Sequence, residues 1–167
     1  MTTTIPLSIT VDGEQRDLAV DPRTTLLDAL RDRLGVTTPK KGCDHGQCGA
    51  CTVLLDGRRV LSCLTLAVAK DGADVVTANG LGEQHPVSEA FLANDAFQCG
   101  FCTPGQVCSA VGALDEARRG MPSAATADLT GPVELDRAEI AERMSGNLCR
   151  CAAYVNIVTA VEEAATR

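Results

Sequence analysis

The sequence predicts an α+β fold in two parts, a small sheet-and-helix unit over residues 1–80 and a unit of four packed helices over residues 81–167. Three observations predict it. Up to Ala78 the apolar residues alternate or run in short segments broken by Asp-Gly pairs, whereas from about residue 85 they recur at helical spacing. The 167 residues fit one ordinary domain or two small ones. The aromatic residues Phe91, Phe97, Phe101 and Tyr154 all lie in the second half and there is no Trp, so the first half must build its core from Leu, Val, Ile and Ala. Two cores of this size are marginal unless something staples them. Nine cysteines are candidates for that role.

The elements follow in order. Leu7, Ile9 and Val11 alternate as a strand, Asp12-Gly13 is a tight-turn pair, and residues 16–20 return as a second strand. Thr24 or Thr25 caps a helix with Leu26, Leu27, Leu30 and Leu34 on one face and Gly35 as its stop. After a cysteine-rich loop, Cys51 to Leu55 reads as a strand, Asp56-Gly57 as a second hairpin turn, Val60 to Cys63 as its return, and Asp74 to Ala78 as the last strand. Residues 79–85 read as a link. Pro86 opens a helix running to about Asn94. Pro104 suits the first turn of the next, with Val107, Val111 and Leu114 facing inward and Gly120 near its end. The Gly-, Pro-, Ser- and Thr-rich segment 120–135 reads as a loop. Asp136 caps a third helix carrying Ile140 and Met144, and a fourth runs from Val155 through Ile157, Val158 and Val161, which gives a compact bundle.

Charge and hydropathy exclude several function classes. With 15 Lys+Arg against 22 Asp+Glu, the net charge of -7 disfavours both nucleic acid and anionic lipid as partners. No apolar run approaches the roughly 20 residues that span a bilayer. The opening stretch MTTTIPLSITVDGEQ has no basic start, no apolar signal core and no twin-Arg pair, so the expected location is cytoplasmic.

In that setting an odd number of cysteines does not read as a disulfide framework. Cys43, Cys48, Cys51 and Cys63 read C-x4-C-x2-C followed at a distance by a fourth Cys, which is the plant-type [2Fe–2S] arrangement. Three thiolates must converge on an anionic cluster whose sulfides also accept N–H bonds, so the loop needs small residues. Gly42, Gly46 and Gly49 supply permissive dihedrals. A structural zinc site usually shows two short C-x2–4-C knuckles, and a Rieske centre needs a second His at matching spacing, which His45 lacks. His45 reads as a solvent-facing loop residue.

The second set is Cys99-x2-Cys102 and, 46 residues later, Cys149-x-Cys151. Alone it permits zinc or Fe–S; beside a ferredoxin-type loop, Fe–S is the better reading. Both pairs lie just before predicted helices, whose N-termini offer free N–H groups and partial positive charge to an anion. Two such starts facing each other give a site with approximate two-fold symmetry. Cys108, among Val107, Ala110 and Val111, reads as a core residue.

These segments resemble a known family. Lys41 to Cys51 (KGCDHGQCGAC), Cys63 to Leu66, Gln98 to Gly105 (QCGFCTPG), and Ser145 to Cys151 (SGNLCRC) followed by Tyr154 and Asn156-Ile157 are similar to the iron–sulfur subunit or portion of the molybdenum hydroxylases. That family includes xanthine dehydrogenase, aldehyde oxidoreductase and carbon monoxide dehydrogenase. The resemblance covers nearly the whole chain. It implies a plant-ferredoxin-like (β-grasp) domain and a four-helix domain, each holding one [2Fe–2S] cluster. The implied ligands are Cys43, Cys48, Cys51 and Cys63 for the first cluster, and Cys99, Cys102, Cys149 and Cys151 for the second. It further implies that Gln98 and Cys151 lie beside the pterin of a molybdenum cofactor in a large partner subunit. Electrons would pass from molybdenum through the second and then the first cluster to FAD in a medium subunit, within a hetero-oligomer. Two departures stand out. Where the family commonly has Thr-Gly-Tyr after the C-x-C pair, this chain has Ala152-Ala153-Tyr154. The 120–135 loop, with ADLTGP, is longer than in many members and resembles the branch of bacterial aldehyde oxidoreductases that act on aromatic aldehydes.

An oxidised cluster with four thiolates carries about -2, a charge that N–H donors and nearby cations must offset. Lys40, Lys41 and Arg150 are candidates, each with solvated surface charge as the alternative. No nucleotide loop and no Ser/His/Asp set gives the chain a catalytic site of its own. The readings carried forward are the electron-transfer subunit of a molybdenum hydroxylase, with an aldehyde as substrate or alternatively xanthine or an N-heterocycle; a free two-cluster ferredoxin; and a zinc-stabilised interaction module.

Overall fold

A computed structural model describes residues 3–167; Met1 and Thr2, at the head of the N-terminal stretch read above, lie outside the described residues. Strands β1 (Ile5–Val11) and β2 (Glu14–Val20) form the first hairpin, with Val11 opposite Glu14. Strands β3 (Thr52–Leu55) and β4 (Arg58–Leu61) form the second, with Leu55 opposite Arg58. Both two-residue turns need positive φ twice, and Asp12 (50°), Gly13 (83°), Asp56 (49°) and Gly57 (76°) supply it. Strand β5 (Asp74–Val76) lies between the hairpins, parallel to β1 and antiparallel to β3, giving the order β2-β1-β5-β3-β4.

One helical segment crosses this sheet. Thr25, not Thr24, caps it, its hydroxyl accepting from the Asp28 N–H at 3.1 Å. Helix α1 (Leu26–Asp28) continues as a wider π turn over Ala29–Arg33 instead of as a regular α-helix. In this form Leu26, Leu27, Ala29 and Leu30 are all buried, and Gly35 at φ 70° ends the run.

Besides Cys51, which precedes β3, and β2, which starts at Glu14, two boundaries near the site and the link differ from the sequence reading. The fourth strand stops at Leu61, and Cys63 sits in a 3-10 turn over Ser62–Leu64 that is held by the Ser62 hydroxyl donating to the Cys51 carbonyl at 2.7 Å. Ala78 is not in a strand but opens α2 (Ala78–Leu81), so the predicted link is partly helical. The cause is Thr77, whose hydroxyl accepts from the Asn79 N–H. The Thr77 N–H and O–H both donate to the Asp12 carboxylate, at 2.7 and 2.8 Å, which ties the start of the link to the first hairpin turn.

The second half is helical. Helix α3 (Pro86–Ala93) is capped by His85, whose Nδ1 accepts from the Val87 N–H. Helix α4 (Thr103–Arg118) follows. Asp136 caps α5 (Arg137–Met144) by accepting from the Glu139 N–H at 2.8 Å. Helix α6 (Tyr154–Ala165) completes the set. Residues 119–136 carry no helix or strand, as the loop reading expected. Phe91, Val107, Ile140, Ile157 and Val161 share one apolar core. Ile9, Val20, Leu26, Leu30, Val53 and Val75 form a separate one under the sheet. Cys108 is buried on α4, and burial pushes its thiol up to about 12, as suits a packing residue.

Helix α4 also packs against β3 and β4. Gly112 makes room for this, since a Cβ there would meet the Arg59 side chain at 2.8 Å. Arg59, on β4, forks onto Glu116 at 2.7 and 2.8 Å, and donates to the Ser109 hydroxyl at 3.0 Å and the Arg143 carbonyl at 2.7 Å. Arg143 pairs with Glu139 at 2.6 Å, each side chain only 3% exposed, and donates to the Met121 carbonyl.

The lost glycine after the C-x-C pair costs nothing in the backbone, since Ala153, where the family commonly has Gly, sits at φ -72° and accepts a side chain freely. Ala152 sits at φ 59°, a left-handed conformation costing a non-glycine residue about 1–2 kcal/mol. Ala152→Gly relieves this, while glycine's greater unfolded freedom returns part of the gain. The expected net stabilisation is about 0.5–1 kcal/mol, read as a raised midpoint in denaturant unfolding; an unchanged or lowered midpoint counts against the strain.

Candidate functional site

The first cysteine set surrounds a tight loop. Cys43 and Cys48 are half-buried and Cys51 and Cys63 are buried. Leu27 of α1 packs on Cys51 and Cys63 from inside. Gly46 (φ 82°) and Gly49 (φ 69°) supply the left-handed turns, but Gly42 does not have positive φ. Its contribution is room, because a Cβ there would meet Cys48 Sγ at 2.8 Å. The backbone turns its N–H groups toward sulfur: Gln47 N–H donates to Cys43 Sγ at 3.2 Å, and Cys43 N–H to Cys48 Sγ at 3.4 Å. The His45 N–H, with that of Gln47, draws the Cys43 thiol down to about 6. Burial and the neighbouring Cys51 push Cys63 up to about 11.

The second set is assembled from two helix starts, as the sequence reading expected. Cys102 occupies the N-cap of α4, and Cys149 and Cys151 precede α6. The Cys149 N–H donates to the Tyr154 hydroxyl at 2.8 Å. Backbone N–H donation from Phe101 holds the Cys99 thiol below its ordinary value. Burial, with Cys149 beside it, pushes Cys102 up to about 11. Cys99 and Gln98 are exposed.

In both sets the thiols approach one another in twos: Cys43 with Cys48 and Cys51 with Cys63, then Cys99 with Cys151 and Cys102 with Cys149. Among the described residues no three His, Cys, Asp or Glu side chains converge on a point that would hold one ion. Mononuclear zinc needs four ligands about one ion. A two-iron cluster needs two thiolates at each iron, so two neighbouring pairs match its donor set. The glycine cradle and the inward N–H groups fit an anionic group of that kind.

The cysteine sets open to one cleft of about 380 Å³, lined among others by Cys43, Cys48, Cys99, Cys102, Cys149 and Arg150. The seam between them is backbone on backbone. The Leu148 N–H donates to the Cys48 carbonyl at 2.9 Å, so neighbours of one set are hydrogen-bonded to members of the other. A Cβ at Gly49 would lie 2.5 Å from the Gly146 carbonyl oxygen, and one at Gly105 2.5 Å from that of Gly49. The buried Asn147 closes the seam, its Nδ2 facing Gly49 O (3.0 Å), Gly105 O (3.2 Å) and Thr52 Oγ1 (3.3 Å).

Of the candidate cations, two have structural partners. Lys41 bridges Asp28 at 2.8 Å and Asp44 at 3.1 Å, and Lys40 donates to the Thr37 carbonyl at 2.7 Å. Arg150 is exposed at the cleft. His45 is an exposed loop residue whose ring nitrogen contacts the Cys43 carbonyl. Sequence reasoning missed the seam residues Asn147 and Gly105. Asn147 and Gly105 lie inside quoted motifs, but their spacing says nothing about what crosses from one loop to the other.

The chain is similar to known proteins along most of its length. Residues 9–75 match the family described as 2Fe-2S iron-sulfur cluster binding domain, and residues 77–162 match that described as [2Fe-2S] binding domain. The chain is 56% identical to the aldehyde oxidoreductase iron-sulfur-binding subunit PaoA of Escherichia coli O157:H7, over 96% of this chain and 72% of that protein. It is 43% identical to the nicotine 6-hydroxylase small subunit of Paenarthrobacter nicotinovorans, over 96% of this chain and 89% of that one. Among solved structures, quinoline 2-oxidoreductase from Pseudomonas putida 86 superposes with a TM-score of 0.77 at 39% identity, covering 98% of this chain and 97% of that chain. Two family matches to [2Fe-2S] binding domains that together span most of the chain, with relatives of this identity and coverage, make this chain a member of the iron–sulfur subunits of the molybdenum hydroxylase family.

Proposed function

We propose that this chain is the electron-transfer subunit of a molybdenum- and flavin-containing aldehyde oxidoreductase. Cys43, Cys48, Cys51 and Cys63 hold one [2Fe–2S] cluster in a plant-ferredoxin-like, β-grasp unit (1–80). Cys99, Cys102, Cys149 and Cys151 hold the second in a four-helix unit (81–167). The separate apolar cores support that division. The observation that carries the reading is the single cleft and direct backbone hydrogen bond between the two cysteine sets, which supply a short route for an electron.

The clusters supply one-electron redox chemistry. The chain's own residues position the thiolates, donate N–H bonds to sulfur and keep water from Cys51, Cys63 and Cys149, which are buried. The partners are a large subunit with a molybdenum-pterin cofactor and a medium subunit with FAD. Exposed apolar side chains beside each cysteine set support two docking faces: Phe101 (49% exposed), Leu148 (53%) and Val155 (72%) near the second, Leu64 (63%) and Leu66 (47%) near the first. Gln98 and Cys151 belong to the face that meets the pterin. Substrate chemistry belongs to the large subunit. No described helix is long and apolar enough to cross a membrane. A cytoplasmic location is part of the proposal, since eight cysteines committed to clusters and one left over do not make a disulfide framework.

Aldehyde is preferred as substrate because of the 56% identity to an aldehyde oxidoreductase subunit, against 43% to the nicotine hydroxylase subunit. The test is anaerobic visible absorbance of the complex co-purified from its host. Bleaching of the iron–sulfur bands on adding an aromatic aldehyde is the expected result. Bleaching only with dithionite overturns the aldehyde reading, and a purine or N-heterocycle that bleaches them replaces it. A colourless preparation overturns the cluster assignment.

A further inference from the structure

Asn147 is a buried polar side chain where the two cysteine loops meet. It is 6% exposed and stands two residues before Cys149. A carboxamide in such a place is costly unless its groups are partnered. Its Nδ2 faces three acceptors, drawn from both units. Gly49 O, at 3.0 Å, lies in the first cysteine loop between Cys48 and Cys51, and Thr52 Oγ1, at 3.3 Å, opens β3 just behind it. Gly105 O, at 3.2 Å, lies in the first turn of α4, three residues after Cys102. The Asn147 carbonyl in turn accepts from the buried Gln106 Nε2 at 2.8 Å. The next residue, Leu148, carries the N–H that donates to the Cys48 carbonyl at 2.9 Å. One side chain therefore clamps the first loop, the start of α4 and, one peptide away, the bond that joins the two sets. There is no room for a longer donor, since even a Cβ at Gly49 would lie 2.7 Å from Nδ2.

We propose that Asn147 is a positioning residue for electron transfer between the two clusters, holding the two cysteine loops in register so that the Leu148–Cys48 bond stays made. The inference rests on the ligand assignment proposed above. An electron crosses a hydrogen-bonded contact far faster than the same atoms drawn apart, and the magnetic coupling of two unpaired spins falls with the cube of their separation. Both quantities report the seam, whereas the ligation of each cluster does not involve Asn147. Asn147→Ala removes the donor. Asn147→Asp keeps the shape and turns a carboxylate oxygen toward the same carbonyls.

The test is made on the intact complex, wild type against these two variants, by low-temperature EPR of the fully reduced protein and by hydrogen exchange at the Leu148 amide. Wild type should show two [2Fe–2S] signals that split each other. Both variants should keep the two signals at full intensity with the splitting reduced, and the Leu148 amide should exchange about tenfold faster. The change should be larger in Asn147→Asp. A single signal in wild type overturns the ligand assignment, and the inference falls with it. Two wild-type signals without mutual splitting overturn the inference alone. So do a splitting and a Leu148 exchange that stay at the wild-type level in both variants; a lowered melting temperature without those changes marks Asn147 as merely structural. Loss of the second signal, or failure to assemble, in both variants also overturns it, since Asn147 would then hold the fold of the second site and not the register of the two.

Discussion

Cys151→Ser abolishes one of two EPR signals and leaves the other untouched. Cys151 stands beside Cys99, so under the proposed assignment its loss would leave the second cluster with three of its four protein thiolates. The first set is complete between Cys43 and Cys63 and shares no ligand with the second. Iron content should fall to about half, and the complex should stop passing electrons to its acceptor because the route is cut next to its origin. Cys63→Ser is the mirror experiment and should remove only the ferredoxin-type signal. If either substitution erased both signals, the two sites would not be independent and the division at residue 80 would be wrong.

Arg143→Ala is the substitution with the largest expected cost in stability. It leaves the Glu139 carboxylate 3% exposed with only Thr126 and neighbouring hydroxyls as partners, and removes a contact to Glu116 at 3.4 Å. Removing one partner of a buried pair costs about 3–5 kcal/mol, enough to lower the melting temperature of a chain this long by on the order of 10 °C. A double variant, Arg143→Met with Glu139→Leu, should recover most of the loss because no buried charge is stranded. If the double variant is no better than the single, the cost is one of packing. The pair also makes an acid prediction. Burial works to raise the Glu139 pKa, but Ser123, Arg143 and Thr126 outweigh it and leave it below the ordinary glutamate value. A depressed folded-state pKa gives stability that is full above the unfolded value and fades as pH falls through the folded one. Melting followed by circular dichroism across that acid range should show this loss in wild type and a flatter slope in Glu139→Gln.

Much of this was legible in the sequence because it rests on local chemistry. Asp12-Gly13 and Asp56-Gly57 announce hairpins because two successive positive φ values admit few residues. Asp136 and Pro86 mark helix starts because of what they do to free N–H groups. What stayed hidden was long-range. Arg59 on β4 belongs to no motif, and only the docking of α4 turns it into the centre of an ion network. The insertion of β5 between the hairpins depends on pairing Thr10 with Asp74, which no local pattern encodes. The cysteine spacing identifies two sets, but which thiols are neighbours is decided by how the loops fold. Gly42 was read as a matter of dihedral freedom and proved to be a matter of space.

The nested pairing of the second set has a consequence for the growing chain. The first site is built from one stretch of 21 residues, so a growing chain can finish it and fold its sheet early. In the second site Cys99 meets Cys151 and Cys102 meets Cys149, with α4, the 119–136 loop and α5 all lying between the partners. That site does not exist until those elements have been synthesised and docked. A product interrupted before Cys149 holds all four thiols of the first proposed site and only Cys99 and Cys102 of the second, so of the two proposed clusters it can complete only the ferredoxin-type one.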